Sequence, residues 1–314
     1  MKTTYFFGSM GALALSLNSC GSDFDPSSRV VDVRILAVQA DAPMAAPGAS
    51  VNIKALVVDP RQRPLSIGWA TCVNPSSTVV NACLAKIAQD AQSSGKPPQF
   101  TVGENLDTFS LTVPDDALSS LSEQARANAY VGVVTVACPG QIRLTDSSTW
   151  DQQSMPISCV DASGNALPQE DYVVSIKRVW VRETERNKNP VIRTVTFDGA
   201  TWDADEIKDM VACSNVPNLL DDCDNGQKAT VAVGLESASF ESGVDDSGTA
   251  YDEQLITQFF AQNAAFEFDV RLARDGSTKF ALRNAPSGTV ETLWLVSRDD
   301  RGGVSWVTRK VRVK

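Results

Sequence analysis

Histidine is absent from the whole chain of 314 residues. That removes Ser-His-Asp and Cys-His catalysis, histidine-ligated zinc and imidazole pH switching together. Positive charge is scarce as well. Lys and Arg number 28 against 38 Asp and Glu, for a formal charge of −10, so nucleic acid and anionic head groups are repelled and excluded as partners. No segment after the N-terminal stretch is apolar enough to cross a bilayer. No two cysteines stand in a Cys-x-x-Cys spacing, which argues against a thiolate metal site. Neither Ser93-Ser94 nor Ser119-Ser120 sits in a Gly-x-Ser-x-Gly elbow.

What is present begins with an address. Lys2 supplies a positive start, Tyr5 to Leu17 an apolar run, and Ser19 a small residue just ahead of Cys20. This is the grammar of a secretory signal, and the run is too short to span as a helix, which needs roughly 20 apolar residues. The quartet Leu17-Asn18-Ser19-Cys20 resembles the bacterial lipobox, although Asn18 is unusual at its position. The resemblance implies that Cys20 is diacylated, becomes the new N-terminus and anchors the chain in a membrane. Residues 1–19 would then be the signal peptide and 20–28 a polar, turn-rich tether. Gly21 stands where some bacteria carry an acidic inner-membrane retention signal, which points to the outer membrane or cell surface. The rival reading is an ordinary secreted protein with an incidental cysteine at 20.

Six cysteines remain: Cys72, Cys83, Cys138, Cys159, Cys213 and Cys223. An even number in an exported chain reads as disulfides. The simplest connectivity is local, 72–83, 138–159 and 213–223, and each bridge would staple one loop.

Period-two alternation begins after the tether. Val31, Val33 and Ile35 share a face; Ala46-Pro47-Gly48 turns; Val51, Ile53, Ala55 and Val57 alternate; Leu65, Ile67 and Trp69 follow. Short strands between Pro/Gly turns predict an antiparallel sandwich. This opening, over roughly residues 30–72, resembles PKD- or immunoglobulin-like domains and is similar to surface lipoproteins of myxobacteria and their relatives. The Trp-Asp-Phe-Gly-Asp-Gly run of PKD domains is missing. The resemblance implies a β-sandwich used as spacer or binding module, with no catalytic residues to carry over.

Further along, residues 82–95 fit a short helix, and Asp115-Asp116 could cap another reaching about Asn128. Ala129 to Ala137 reads as a central strand. Tyr172 to Arg182 follows, with Val174, Ile176 and Trp180 in phase. Residues 183–190 are charged and proline-ended, a linker. The pattern then restarts. Val191 to Phe197 and Ala229 to Leu235 read as strands, and 254–262 suits helix or strand. Phe266, Phe268, Val270 and Leu272 form the clearest alternation; Val290, Thr292, Trp294 and Val296 another; Asp299-Asp-Arg-Gly-Gly303 signals a hairpin before Val304 to Val313. The fold class expected is all-β: two tandem immunoglobulin-like antiparallel β-sandwiches with short helical insertions, over 29–182 and 191–314.

Chemistry is thinly signalled. Asp221-Asp222-Cys223-Asp224-Asn225-Gly226 looks faintly like a calcium loop, but Cys223 holds its third position. Asp203, Asp205 and Glu206, and Asp245, Asp246, Asp252 and Glu253, are further acidic clusters. Solvated loops account for them, so no cofactor is expected and calcium is the only candidate. A histidine-free hydrolase would need two carboxylates facing across a cleft, about 5–10 Å apart, and no pair is marked out. The chain therefore reads as no enzyme. Trp69, Trp180 and Trp294 are in phase with apolar neighbours and are assigned to cores, Trp306 is ambiguous, and Trp150 and Trp202, in polar loops, are the candidates for a ligand surface. The function expected is a lipid-anchored envelope protein at the cell surface, acting as a non-catalytic binding or spacer module. A recognition protein for a glycan or another envelope protein is the alternative, and a carboxylate hydrolase ranks last.

Overall fold

The computed structural model describes residues 26–96, 98–144, 157–213, 220, 223–245, 248–283 and 285–314. Cys20, Trp150, Asp221, Asp222 and Asp246 lie outside them.

The first half carries β1 (Arg34–Ala40), β2 (Met44–Ala45), β3 (Ser50–Val58), β4 (Ser66–Val73), β5 (Thr101–Glu104), β6 (Thr108–Thr112), β7 (Tyr130–Cys138), β8 (Gln141–Leu144), β9 (Ile157–Val160) and β10 (Val173–Val181). The sheet β1-β3-β6 faces the sheet β2-β10-β7-β4-β5. Val51, Ile53, Leu111, Trp69, Val133 and Val179 meet between them. The second half carries β11 (Ile192–Phe197), β12 (Ala200–Thr201), β13 (Ile207–Met210), β14 (Ala229–Leu235), β15 (Ser242–Val244), β16 (Ala250–Asp252), β17 (Leu255–Ala261), β18 (Ala264–Phe266), β19 (Val270–Leu272), β20 (Ser277–Leu282), β21 (Val290–Asp299) and β22 (Val304–Val313). Here β12-β11-β14-β20-β18 packs on β13-β22-β21-β17-β19. The chain is thus two tandem all-β sandwiches of immunoglobulin-like architecture. One device recurs in both: a short early strand lies parallel beside the last strand, β2 along β10 and β13 along β22.

All nine residues of β7 are buried. Its inner side chains enter the sandwich core, while Val134 and Val136 lie under the helix α1 (Val80–Ser94). A strand covered on both faces needs apolar residues at consecutive positions, and this run supplies them. The disulfide Cys72–Cys83 ties β4 to α1 with Cα atoms 5.4 Å apart. It crosses Gly132 of β7, where an added Cβ would sit 2.7 Å from Cys72 Sγ; a glycine leaves room for the bridge. Cys138–Cys159 and Cys213–Cys223 also pair, with Cα separations of 6.0 and 5.6 Å. The local connectivity is the one formed.

Four readings are corrected. The helix expected from Asp115 to about Asn128 shrinks to α2 (Glu123–Arg126). Ala117 and Leu118 are instead drawn into the sandwich core by a non-helical turn. The alternation from Phe266 to Leu272 is not one strand. β18 pairs with β20 and β19 with β17, so the chain changes sheets at residues 267–269, a corner of the kind sandwiches use. In β21 the core residues are Leu293 and Leu295; Trp294 and Val296 face outward, half-buried and buried respectively. That outer face is itself covered, because Val296 and Val304 pack on Ala37 of the first sandwich. Lastly, the tether is docked before residue 28 is reached. Ala261 N–H donates to Ser28 O (3.0 Å) and Val30 N–H to Ala261 O (2.8 Å). The chain therefore touches the second sandwich before it enters the first, because the free edge of β17 offers unpaired backbone groups there.

Candidate functional site

The two sandwiches meet along a polar seam. Gln39 donates to Val304 O (2.6 Å), and Asn189 donates to Ala40 O (2.7 Å) while accepting from Val304 N–H (2.9 Å). Arg298 reaches Leu36 O, and Lys177 reaches Gly302 O. Lys54 Nζ lies 5.9 Å from the centroid of the Trp306 ring, which places that ambiguous tryptophan at the seam. Residues 183–190 run through it, with Asn187 buried and bonded to Asp299 (3.2 Å).

The turn 299–303 is the clasp. Gly302 takes φ +105°, which an L side chain rarely adopts, and it lies against the Trp180 indole. A Cβ on Gly303 would come within 2.8 Å of Lys188 O, so this glycine allows the linker to close. Asp299 accepts from the backbone of Arg301 (2.9 Å) and Gly303 (2.7 Å) and holds the turn rigid. The Gly-Gly hairpin signal therefore marks the domain clasp as well as a turn.

Arg301 projects from this turn between Glu185 of the linker and Glu253 beyond β16 (3.0 Å to Glu253). Its guanidinium stacks 3.7 Å over the Tyr251 ring. Above the clamp opens a groove of about 980 Å³ between the sandwiches. Trp180 and Tyr251, both half-buried, give it an aromatic lining, and Glu123, Glu183, Asp245 and Asp300 line it beside Arg126, Arg182 and Arg301. Trp180 is braced by Tyr130, edge to face at 5.5 Å, and by Arg178 and Arg182 at 5.5 and 5.4 Å. Its face of β10 is the one that carries Val174 and Ile176 beneath α1; past the end of that helix the same face opens into the groove. In-phase alternation assigned Trp180 to the core for that reason. Tyr251 and Arg301 carried no signal of their own in the sequence.

Glu253 is the perturbed group. Burial lifts its carboxyl from 4.5 to about 7, the charge of Asp299 pushes the same way, and Arg301 pulls against both. Its Oε2 is buried without a hydrogen-bond partner among the described residues. The folded state thus keeps a proton that the unfolded chain releases near 4.5. This contribution to stability is complete below that pH and is lost as pH rises to about 7. Glu253→Gln, neutral throughout, should melt with the wild type at pH 4 and above it at pH 8. Thermal unfolding followed by circular dichroism checks this, and a lower melting temperature at pH 8 contradicts it.

The other sequence candidates fall elsewhere. Trp202 is not a ligand surface: it is 1 % exposed, packs edge to face on Phe197 at 5.2 Å, and donates through Nε1 to Glu206 O at 3.0 Å. Its polar neighbours point outward while the chain turns the indole into the core. The six cysteines are consumed in disulfides. Among the described residues no group of three or more acidic or cysteine side chains converges as a metal site. Glu185 and Glu253 share one guanidinium and face protein, their side chains 9 % and 1 % exposed. They form a clamp rather than a pair across a substrate.

No family model matches the chain, and no curated protein sequence does. Among solved structures it aligns with dimeric latent PorU from Porphyromonas gingivalis at 11 % identity and a TM-score of 0.21, over 90 % of this chain and 24 % of that one, so it spans about a quarter of PorU. The N-terminal Ig1-2 module of the Drosophila receptor protein tyrosine phosphatase DLAR aligns at 10 % identity and a TM-score of 0.25, over 90 % of this chain and 99 % of the module. The D0-D1 domain of intimin aligns at 12 % and 0.19, over 89 % and 97 %. Superpositions this loose carry no argument about activity or domain arrangement; the fold rests on strand order and register.

Proposed function

We propose that this protein is an exported, lipid-anchored, non-catalytic recognition module of the cell surface, whose interdomain groove takes a glycan of the envelope. The observation that carries the reading is the groove itself: Trp180 and Tyr251 exposed in part between two sandwiches that the Arg301 clamp holds in one arrangement. Aromatic faces stack on sugar rings, and a preformed site spares the ordering cost of binding. Carboxylates and the guanidiniums of Arg126, Arg182 and Arg301 line the groove together, so the ligand class proposed is a neutral glycan. Three formed disulfides support export, and the lipobox-like quartet ending at Cys20 supports the anchor.

Titration with a panel of neutral hexasaccharides, read by tryptophan emission, tests this. At least one sugar should quench emission saturably, and Trp180→Phe should remove most of that response while leaving the melting temperature within about 2 °C, since a half-buried ring is exchanged for a smaller one. No response across the panel reduces the molecule to a spacer.

A further inference from the structure

The chain arrives at the folded body in an informative place. Ser28 to Val30 lies along the free edge of β17 at Ala261, end to end with β19 on the same edge. Ser27 Oγ donates to Asp269 (2.9 Å), and Arg34 donates to Ser27 O (2.6 Å), which fixes the entry point. Asp269 stands between Phe268 and Val270.

That edge is apolar and bare. Phe268, Val270 and Leu272 are 49 %, 43 % and 63 % exposed. Val270 and Leu272 stand at alternate positions of β19, and Phe268 stands in the corner leading into it, with Arg271 folded 4.8 Å over its ring. Among the described residues the other large exposed hydrophobics are aliphatic and form no run at alternate positions; Phe268 is the single aromatic of the set. β19 also ends its sheet, and edge strands are ordinarily protected by charge or cover. Two exposed apolar side chains on the edge strand, with a half-exposed Phe268 at the corner beside them, call for an occupant.

Six residue steps separate Cys20 from Pro26, a span of about 20 Å at full extension. Acyl chains on Cys20 would therefore enter a bilayer close to this edge. We propose that the Phe268–Val270–Leu272 edge rests on the lipid surface in which Cys20 is anchored, so that the protein stands on its second sandwich. The inference rests on the lipid-anchored reading above. With a chain charge of −10 and Glu267, Asp269 and Asp275 beside Arg271 and Arg274, the contact is apolar and not a basic patch. It adds an apolar contact to the two acyl chains that hold the membrane.

The test uses the full-length protein purified from membranes, with intact-mass measurement of the acyl group on Cys20, reconstituted in phosphatidylcholine vesicles with or without brominated chains. Phe268→Trp adds a reporter at the edge, and Val79→Trp adds one at an exposed site on the first sandwich. The emission added by Phe268→Trp should fall by at least half in brominated vesicles, at low and at high salt alike, while that of Val79→Trp stays unchanged. Equal quenching at both sites, or none at 268 with Cys20 acylated, overturns the proposal but leaves the anchor standing. An unmodified Cys20 overturns the anchored reading, and the proposal with it. A blue shift at Trp-substituted position 268 in lipid-free Cys20→Ser protein that grows with protein concentration assigns the edge to a second copy of the chain and also overturns the proposal.

Discussion

Arg301→Ala should cost about 3 kcal/mol at pH 8 and separate the two sandwiches. Removing one partner of a buried ion pair leaves an uncompensated charge, with typical losses of about 3–5 kcal/mol. Here two carboxylates, Glu185 and Glu253, meet the same guanidinium, and Glu185 keeps a second pairing with Arg182 at 3.5 Å. The lower end applies because Glu253, already lifted to about 7, can take up a proton instead of staying charged. The cost should accordingly shrink toward pH 5. Glu185 belongs to the linker, so its release should expose residues 183–190, and limited proteolysis should cut there in Arg301→Ala and not in the wild type. The triple variant Arg301→Met, Glu185→Gln, Glu253→Gln removes the three clamp charges, leaves Arg182 in place, and should recover part of the loss. Urea denaturation of the three proteins at both pH values supplies the numbers; a single-variant loss below about 1 kcal/mol would mean that the clamp is solvent-screened.

Trp202→Ala should cost about 3–5 kcal/mol, the range for deleting a large aromatic from a core. The indole fills space against Phe197, its N–H is satisfied by Glu206 O, and its own carbonyl accepts from Arg309 Nε at 2.9 Å. Phe197 also stacks edge to face on Phe280 at 6.2 Å, so the cavity would open into the centre of the second sandwich. Trp202→Phe should recover part of the loss. Neither substitution should alter the sugar response of Trp180, which lies in the groove and not in this core. A stable Trp202→Ala protein with altered sugar binding would return Trp202 to the role its polar surroundings suggested.

These residues show how far the sequence is legible. Alternation at Val51 to Val57 and the apolar run of β7 announce strands because a half-buried strand needs period two and a doubly covered one needs none. The disulfides follow from an even cysteine count and short loops. Trp202 was misplaced because neighbours describe how polar a loop is, not which of its side chains the backbone turns inward. The phase of β21 was misread for a different reason. Both of its faces are buried, one by its own sandwich and one by the other, so Trp294 and Val296 satisfy an apolar rule without belonging to the core. Phe266 to Leu272 alternates without a break, yet the backbone changes sheets at 267–269, and the apolar side chains past that corner are left at an edge.

The amino-acid order by itself determined the strand-rich class, the restart of the pattern after residue 190 and the local cysteine pairs. Each depends on contacts close in sequence or on composition alone. Only the tertiary structure decided that Arg301, Glu185 and Glu253 meet, that Trp180 opens into a groove, and that Ser28 to Val30 is stitched to β17. Those contacts join residues 48 or more positions apart, and nothing local encodes them. They exist because two sandwiches bury one seam between them, and the free energy of that burial is shared by residues that have no pattern in common.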